Sequence, residues 1–290
     1  MKRALTQRLF IAALLLATVL PAQAQQAGAQ SLRDAYRTLQ PALVDSPFGR
    51  PIHIESREAG DIIEGSVHAV LNVPFANVGR LLAQPQSWCD VMFLHPNTKL
   101  CRVRKGAAPV LQMRIGKKFD QPLDEAHELE LAYAVAQQKP DYLQVRLNAD
   151  SGPLGTRDYR IVLEAIPVEN GKTFLHLSYA YGYGLMARAA VQTYLGTVAN
   201  EKVGFTKIAN ASGDAPQYVK GMRGLIERNT MRYYLAIESF LRTPAALEKR
   251  LRSFYAAMER YPRQLHDMPL EDYLNTKRDE DRHQREEASG

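Results

Sequence analysis

In the segment LHLSYAYGYG, the residues Leu175, Leu177, Tyr179, Tyr181 and Tyr183 fall on one side of a strand, because strand side chains alternate faces. A core face should be dry, and a phenol hydroxyl buried without a partner costs about 1–3 kcal/mol. Three phenols in succession therefore predict a face that lines something other than core. The same phase adds Tyr133 in HELELAYAV and Tyr159 in TRDYRIVLEAI, and it places Arg157 on the face of Tyr159 near the strand's start. Each ring supplies apolar wall and each hydroxyl a polar contact. That lining suits a molecule that is mostly hydrocarbon and ends in a hydroxyl or carboxylate. Arg157 fits either the polar head of such a ligand or a carboxylate that ties strand to loop.

Three further residues join this candidate ligand set. Asn229 falls on the apolar stripe of a long helix between Ile226 and Tyr233, where a buried amide needs partners. Met222 is an apolar position one turn from that helix's start. Trp88, in QPQSWCDVMF, is core or part of an entrance.

Other chemistries lack their signatures. There is no HExxH, no nucleophile elbow, no phosphate loop and no cysteine pair at zinc-finger spacing, so no catalytic residue, metal or cofactor is assigned. His68 and His176 alternate to the outer face of their strands, as do Glu128, Glu130 and Glu164. Glu227 and Glu238 fall off the main helix stripe, which leaves the concave face without a general base.

The two cysteines, Cys89 and Cys101, are expected to form a disulfide, because the chain begins with an export signal. Lys2, Arg3 and Arg8 precede the apolar run Leu9 to Leu20, and Ala22-Gln23-Ala24 offers a cleavage site after Ala24. That run is too short to span a bilayer comfortably. Cleavage would take the formal charge from +6 to +3 on 266 residues, no basis for a nucleic-acid partner. A periplasmic or secreted location follows.

The elements that must position the tyrosines are read from periodicity. Residues 25–59 form an N-terminal extension: a short amphipathic helix (LRDAYRTLQPAL), then a connection with Pro and Gly. Alternation begins at IIEGSVHAVLN, followed by two short helices, FANVGRLLA and PQSWCDVMF. Six more strands follow, most joined by short turns, with Asn170-Gly171 a strong hairpin signal before the tyrosine strand. A short helix and a connection rich in Gly, Ser, Asp and Pro lead to the long helix YVKGMRGLIERNTMRYYLAIESFL. Residues 243–274 are a C-terminal helical extension, and 275–290, without apolar anchors, are expected to be disordered.

This order, with the Trp88 segment and the Arg157-Asp158 pair opening a strand in SGPLGTRDYRIVLEAI, resembles the helix-grip fold of the START-like (SRPBCC) superfamily. START lipid-transfer domains, plant pollen allergens and polyketide cyclases share it. The resemblance spans about Asp61 to Leu241, and the ligand-binding domain is set at residues 60–242. It implies an α+β fold, a curved antiparallel seven-stranded sheet wrapped on a long C-terminal helix, with two short helices between strands one and two. It also implies a pocket for a hydrophobic small molecule or lipid. The expected function is an exported carrier that makes transient membrane contact. A cyclase/dehydratase on the same fold, or an interaction module with a vestigial pocket, are the alternatives.

Overall fold

The structure, a computed structural model, describes residues 20–196, 201–208 and 216–289. Residues 1–19, most of the stretch expected to be an export signal, lie outside the described residues. In chain order the helices and strands are α1 (Leu20–Val44), β1 (Ile52–Ala59), β2 (Ile62–Leu71), α2 (Phe75–Leu82), α3 (Pro85–Met92), β3 (Thr98–Arg104), β4 (Val110–Ile115), β5 (His127–Lys139), β6 (Tyr142–Ser151), β7 (Thr156–Val168), β8 (Lys172–Tyr183), α4 (Leu185–Gly196), α5 (Gly221–Arg242), α6 (Leu247–Met258), α7 (Pro262–Leu265) and α8 (Leu270–Ser289).

The strands form one antiparallel sheet in the order β1-β2-β8-β7-β6-β5-β4-β3. Strands β3 to β8 are the expected meander, and β2 returns beside β8. Asn170 and Gly171 make the β7–β8 turn with φ of 60° and 67°, the left-handed pair that a tight hairpin needs. The whole is compatible with the helix-grip arrangement, with one strand more than expected. Strand β1 falls where the sequence reads as a connection, because IHIESREA mixes Glu, Ser and Arg with only three apolar residues, Ile52, Ile54 and Ala59. Ile52 and Ile54 are nevertheless buried, and the strand pairs along its full length with β2 at the sheet edge.

Helix α5 crosses the concave face against β1 and β2. Contact is closest at Gly65, where a Cβ would lie 2.3 Å from Thr230 Oγ1. Gly224 faces the Val219 carbonyl, so it admits the segment leading into the helix. The remaining concave surface is aliphatic: Leu111, Leu131, Leu143, Val145, Leu147 and Leu163 are fully or almost fully buried.

The extensions are part of the fold. Helix α1 is longer than expected and lies on the outer face of the sheet. Ala29, Leu32 and Leu43, with half-buried Tyr36 and Leu39, pack on Tyr142, Ile166 and Phe174. The charged C-terminal segment, expected to be disordered, is the docked helix α8. Its first turns are anchored in the core by Tyr273 and Leu274, and beyond them its buried charges compensate one another. Glu280 accepts from Lys99 Nζ and Lys277 Nζ, each at 2.8 Å, and Lys277 also donates to the Thr98 carbonyl at 2.6 Å. The Lys277 ammonium lies over the Phe93 ring, and the Tyr273 hydroxyl donates to the Leu94 carbonyl. The expected disulfide joins α3 to β3, with Cα atoms of Cys89 and Cys101 5.2 Å apart.

Candidate functional site

Tyr179 and Tyr181 sit two residues apart on β8 and turn to the concave side, as the alternation predicts. Their ring centroids are 5.5 Å apart. Tyr159 on β7 stacks on Tyr181 at 5.4 Å, and Tyr233 on α5 meets Tyr179 edge-on at 5.4 Å. The Tyr159 hydroxyl is paired with Thr156 Oγ1 at 2.7 Å. Among the described residues, the hydroxyls of Tyr179, Tyr181 and Tyr233 have no hydrogen-bond partner. Burial raises all three phenols above the ordinary value, so they are neutral at physiological pH.

The helical side of this cluster has an unusual burial pattern. Helix α5 is enclosed on nearly every face, including charged ones: Glu227, Arg228, Arg232 and Glu238 are all buried. Glu227 accepts from the backbone N–H groups of Phe205 and Thr206 and from Ser56 Oγ. Glu238 pairs with Arg50 and Arg242. The residues that stay partly accessible include Met222, Leu225, Asn229 and Tyr233, spaced along the turns that lead to Tyr179. An amphipathic helix normally buries its apolar stripe most completely. Here part of that stripe stays partly accessible.

His95, at the end of the α3 segment, backs onto Tyr233 with ring centroids 5.3 Å apart. Its Nδ1 accepts the Asn97 backbone N–H at 3.2 Å, so the neutral ring carries its proton on Nε2. Nε2 is buried and has no partner among the described residues. Burial, with Arg232 and Lys118 nearby, holds this imidazole well below its usual range and keeps it neutral. Arg232 donates to Asp267 at 2.8 Å and to Asn229 Oδ1 at 3.4 Å, while Lys118 donates to Asp267 at 2.6 Å. Burial alone would raise the Asp267 carboxyl, but the two cations bring it down to about 2. Burial beside Arg232 brings Lys118 down to about 8.

The other expected ligand residues are placed elsewhere. Arg157 is on the convex side, not the concave one. Asp158 has a φ of 54° and forms a bulge, so Arg157 pairs with Gly182 and Arg160 with Ala180, both on the outer phase. Arg157 is partly exposed and paired with Asp61 and Asp158. Trp88 Nε1 donates to the Leu82 carbonyl at 2.9 Å, and the Tyr133 hydroxyl donates to the same oxygen at 3.3 Å. Those two side chains hold the end of α2. Tyr183 donates to Glu58 and accepts from Arg188 at the rim. The tyrosines thus divide into an engaged set, Tyr133 and Tyr183, and a converging set around Tyr179.

Sequence reasoning missed His95 and Tyr233 as site residues. Tyr233 was legible as a stripe residue, one helical turn beyond Asn229. His95 gave no signal except that it follows the disulfide segment.

Beyond the tyrosines, the end of the sheet carries exposed apolar residues. The loop 116–126, the β6–β7 turn, the start of β2 and the start of α4 lie at one end of the sheet. They carry Phe119, Leu154, Ile62, Leu185 and Met186, all exposed; Leu185 is 87% accessible. Two surface clefts lie away from the tyrosines. One of about 560 Å³ runs beside α1 past Tyr36, Leu43 and Arg50. The other, about 290 Å³, adjoins the disulfide, Asp90 and Arg250. Among the described residues no group of His, Cys, Asp and Glu could hold a metal ion, and no helix is long and apolar enough to cross a membrane.

No protein-family profile and no curated protein matches the chain. Solved structures similar to it include a norcoclaurine synthase mutant from Thalictrum flavum in complex with a transition-state analogue. That similarity is 13% identity over 49% of this chain and 91% of that one, with a TM-score of 0.35. Ara h 8.0201 is 9% identical over 66% of this chain and 99% of its own, with a TM-score of 0.36. The Zhui aromatase/cyclase from a Streptomyces species is 12% identical over 70% and 94%, with a TM-score of 0.31. At these scores the chain's class rests on its own topology: an α+β protein whose antiparallel sheet is crossed by a long helix.

Proposed function

We propose that this protein is an exported carrier, periplasmic or secreted, that binds one hydrophobic small molecule or lipid between α5 and the concave face of the sheet. The observation that supports it most is the partly accessible stripe Met222, Leu225, Asn229 and Tyr233 on a largely buried helix, beside tyrosines whose hydroxyls have no partner among the described residues. Apolar wall supplies affinity at about 25 cal/mol per Å² buried, and the hydroxyls supply orientation. The Cys89–Cys101 disulfide is in keeping with an oxidising compartment. Exposed Phe119, Leu154, Leu185 and Met186 at the end of the sheet where the tyrosines lie suit transient contact with a lipid surface during loading.

A cyclase or dehydratase on this fold would need a base with a raised pKa beside the tyrosines. Asp267 is instead pulled down to about 2 by Arg232 and Lys118. Glu164 is on the outer face, bonded to His176 and Tyr142. Nothing on the concave side favours that reading over the carrier.

Native mass spectrometry of the mature protein, with organic extraction of what it carries, tests the proposal. A single apolar adduct at one per chain is expected. A protein that stays empty after challenge with mixed lipids would overturn it.

A further inference from the structure

Helix α1 is seated on the outer face through a small apolar cluster of its own, in which Ala29, Leu32 and Leu43 meet Tyr142, Ile166 and Phe174 apart from the main core. So small a contact can open by itself, ahead of global unfolding. The cleft of about 560 Å³ between α1 and the β7–β8 turn leaves the seat incomplete along one edge. Beside the seat runs a row of histidines. His53, His68 and His176 are register partners on β1, β2 and β8, and Glu164 on β7 continues the row. The rings of His68 and His176 stack at 4.2 Å, and His53 lies 6.3 Å from His68. Two contacts tie this row to α1. The Phe174 ring meets both His68, at 5.9 Å, and Tyr36 of α1, at 4.8 Å. Gly28 of α1 rests on Tyr142, where a Cβ would come 2.8 Å from the hydroxyl oxygen, and that hydroxyl donates to Glu164.

While α1 is seated, the row holds together as neutral rings. His176 Nδ1 donates to Glu164 at 3.1 Å and its Nε2 accepts from Ser66 Oγ at 2.8 Å, so the neutral imidazole is satisfied. His68 Nδ1 is buried and has no partner among the described residues. The neighbouring carboxylates are engaged: Glu55 faces His53 at 3.9 Å, and Glu164 takes bonds from His176, Tyr142 and Gln144. On α1 itself, Arg33 pairs with Asp141 and Arg37 with Asp34. A proton on His68 therefore meets desolvation first and the His176 ring second, which brings this group down to about 3. From this arrangement we infer that α1 is a proton-controlled latch, seated while the histidine row is neutral and lifted from the outer face as the row takes up protons in mild acid. Lifting withdraws Tyr36 from Phe174 and Gly28 from Tyr142, lets water reach His68, and moves its pKa back towards 6.5. The lifted state then takes up the proton first, so seating weakens as pH falls below that value. Burial pushes the Glu164 carboxyl up, but its bonds to His176, Tyr142 and Gln144 hold it below the ordinary 4.5, so it adds the same sign at lower pH.

Hydrogen exchange of the mature protein at pH 7 and pH 5, read by mass spectrometry and corrected for the intrinsic pH dependence of exchange, tests the latch. Amides of α1 are expected to exchange through an opening of their own, with less protection than those of α5. That protection is expected to fall by about fivefold or more from pH 7 to pH 5. In His68→Gln the fall should shrink to about twofold or less. Tyr36→Ala weakens the seat and leaves the histidines in place, so it should lower the protection of α1 at both pH values and keep the fall. The wild-type comparison stands without any variant. Protection of α1 that is equal at the two pH values, or that matches α5 at both, would overturn the inference. A fall that persists in His68→Gln would also overturn it, because another group would then carry the proton.

Discussion

Tyr179 and Tyr183 lie four residues apart on one strand and face the same way, yet they differ, because Tyr183 reaches Glu58 and Arg188 while Tyr179 has no hydrogen-bond partner among the described residues. Alternation told which face each tyrosine takes but not which hydroxyl finds a partner, since those partners come from β1 and α4. Arg157 shows the converse: one extra residue at Asp158 reverses the phase, and a count by twos cannot detect a bulge. Arg157→Ala is therefore expected to leave ligand occupancy as in the wild type, measured by native mass spectrometry. Loss of the adduct would contradict the convex placement. His68, expected to be solvated, is buried on the outer face. It is stacked on His176 at 4.2 Å and neighboured by His53, Phe174, Glu55 and Glu164. Burial and the His176 ring bring it down to about 3. Its unfolded value is near 6.5, so the unfolded state takes up a proton first and stability is lost as pH falls below that value. Between pH 7 and pH 5 this group should account for about 2 kcal/mol of lost stability. Urea unfolding of His68→Gln at both pH values should show a slope smaller by that amount. An unchanged slope would rule His68 out as the titrating group.

Elements were more legible than their contacts. The meander, the two short helices after β2 and the long α5 all follow from periodicity and turn residues. Strand β1 escaped because an edge strand needs apolar residues only at the positions that meet the helix. The closeness of α5 to the sheet depends on Gly65, and strand patterning shows only that a glycine is there. Gly65→Ala should cost about 1–3 kcal/mol by overpacking against Thr230 Oγ1, which is fixed by its bond to the Ile226 carbonyl. Adding Thr230→Ala should recover much of that loss in denaturant titrations. If the double variant is no better than the single one, the close contact is not the cause. Cys89→Ser should cost about 3 kcal/mol, the chain-entropy value for so short a loop.

At the scale of the molecule, the extensions enclose the domain on both sides: α1 covers the outer face, α6 and α7 pack on α5, and α8 packs on α6 and β3. Beyond Leu274 the sequence of α8 reads as a solvated charge run, because burial by mutual compensation leaves no apolar pattern. Its partners Lys99 and Thr98 lie far away in the chain. Glu280→Gln would leave Lys99 and Lys277 buried without their shared carboxylate, a change expected to destabilise by about 3–5 kcal/mol. A thermal midpoint equal to the wild type's would show that α8 is not docked as described.

The central claim is that the tyrosines converging on Tyr179 surround the ligand. Tyrosine isotopically labelled at the hydroxyl-bearing ring carbon, followed by NMR during titration with cis-parinaric acid, reads it directly. The signals of Tyr159, Tyr179, Tyr181 and Tyr233 should shift together and saturate at one equivalent, while those of Tyr133 and Tyr183 stay in place. Four unmoved signals with a shift at Tyr36 would contradict the account and move the ligand to the cleft beside α1.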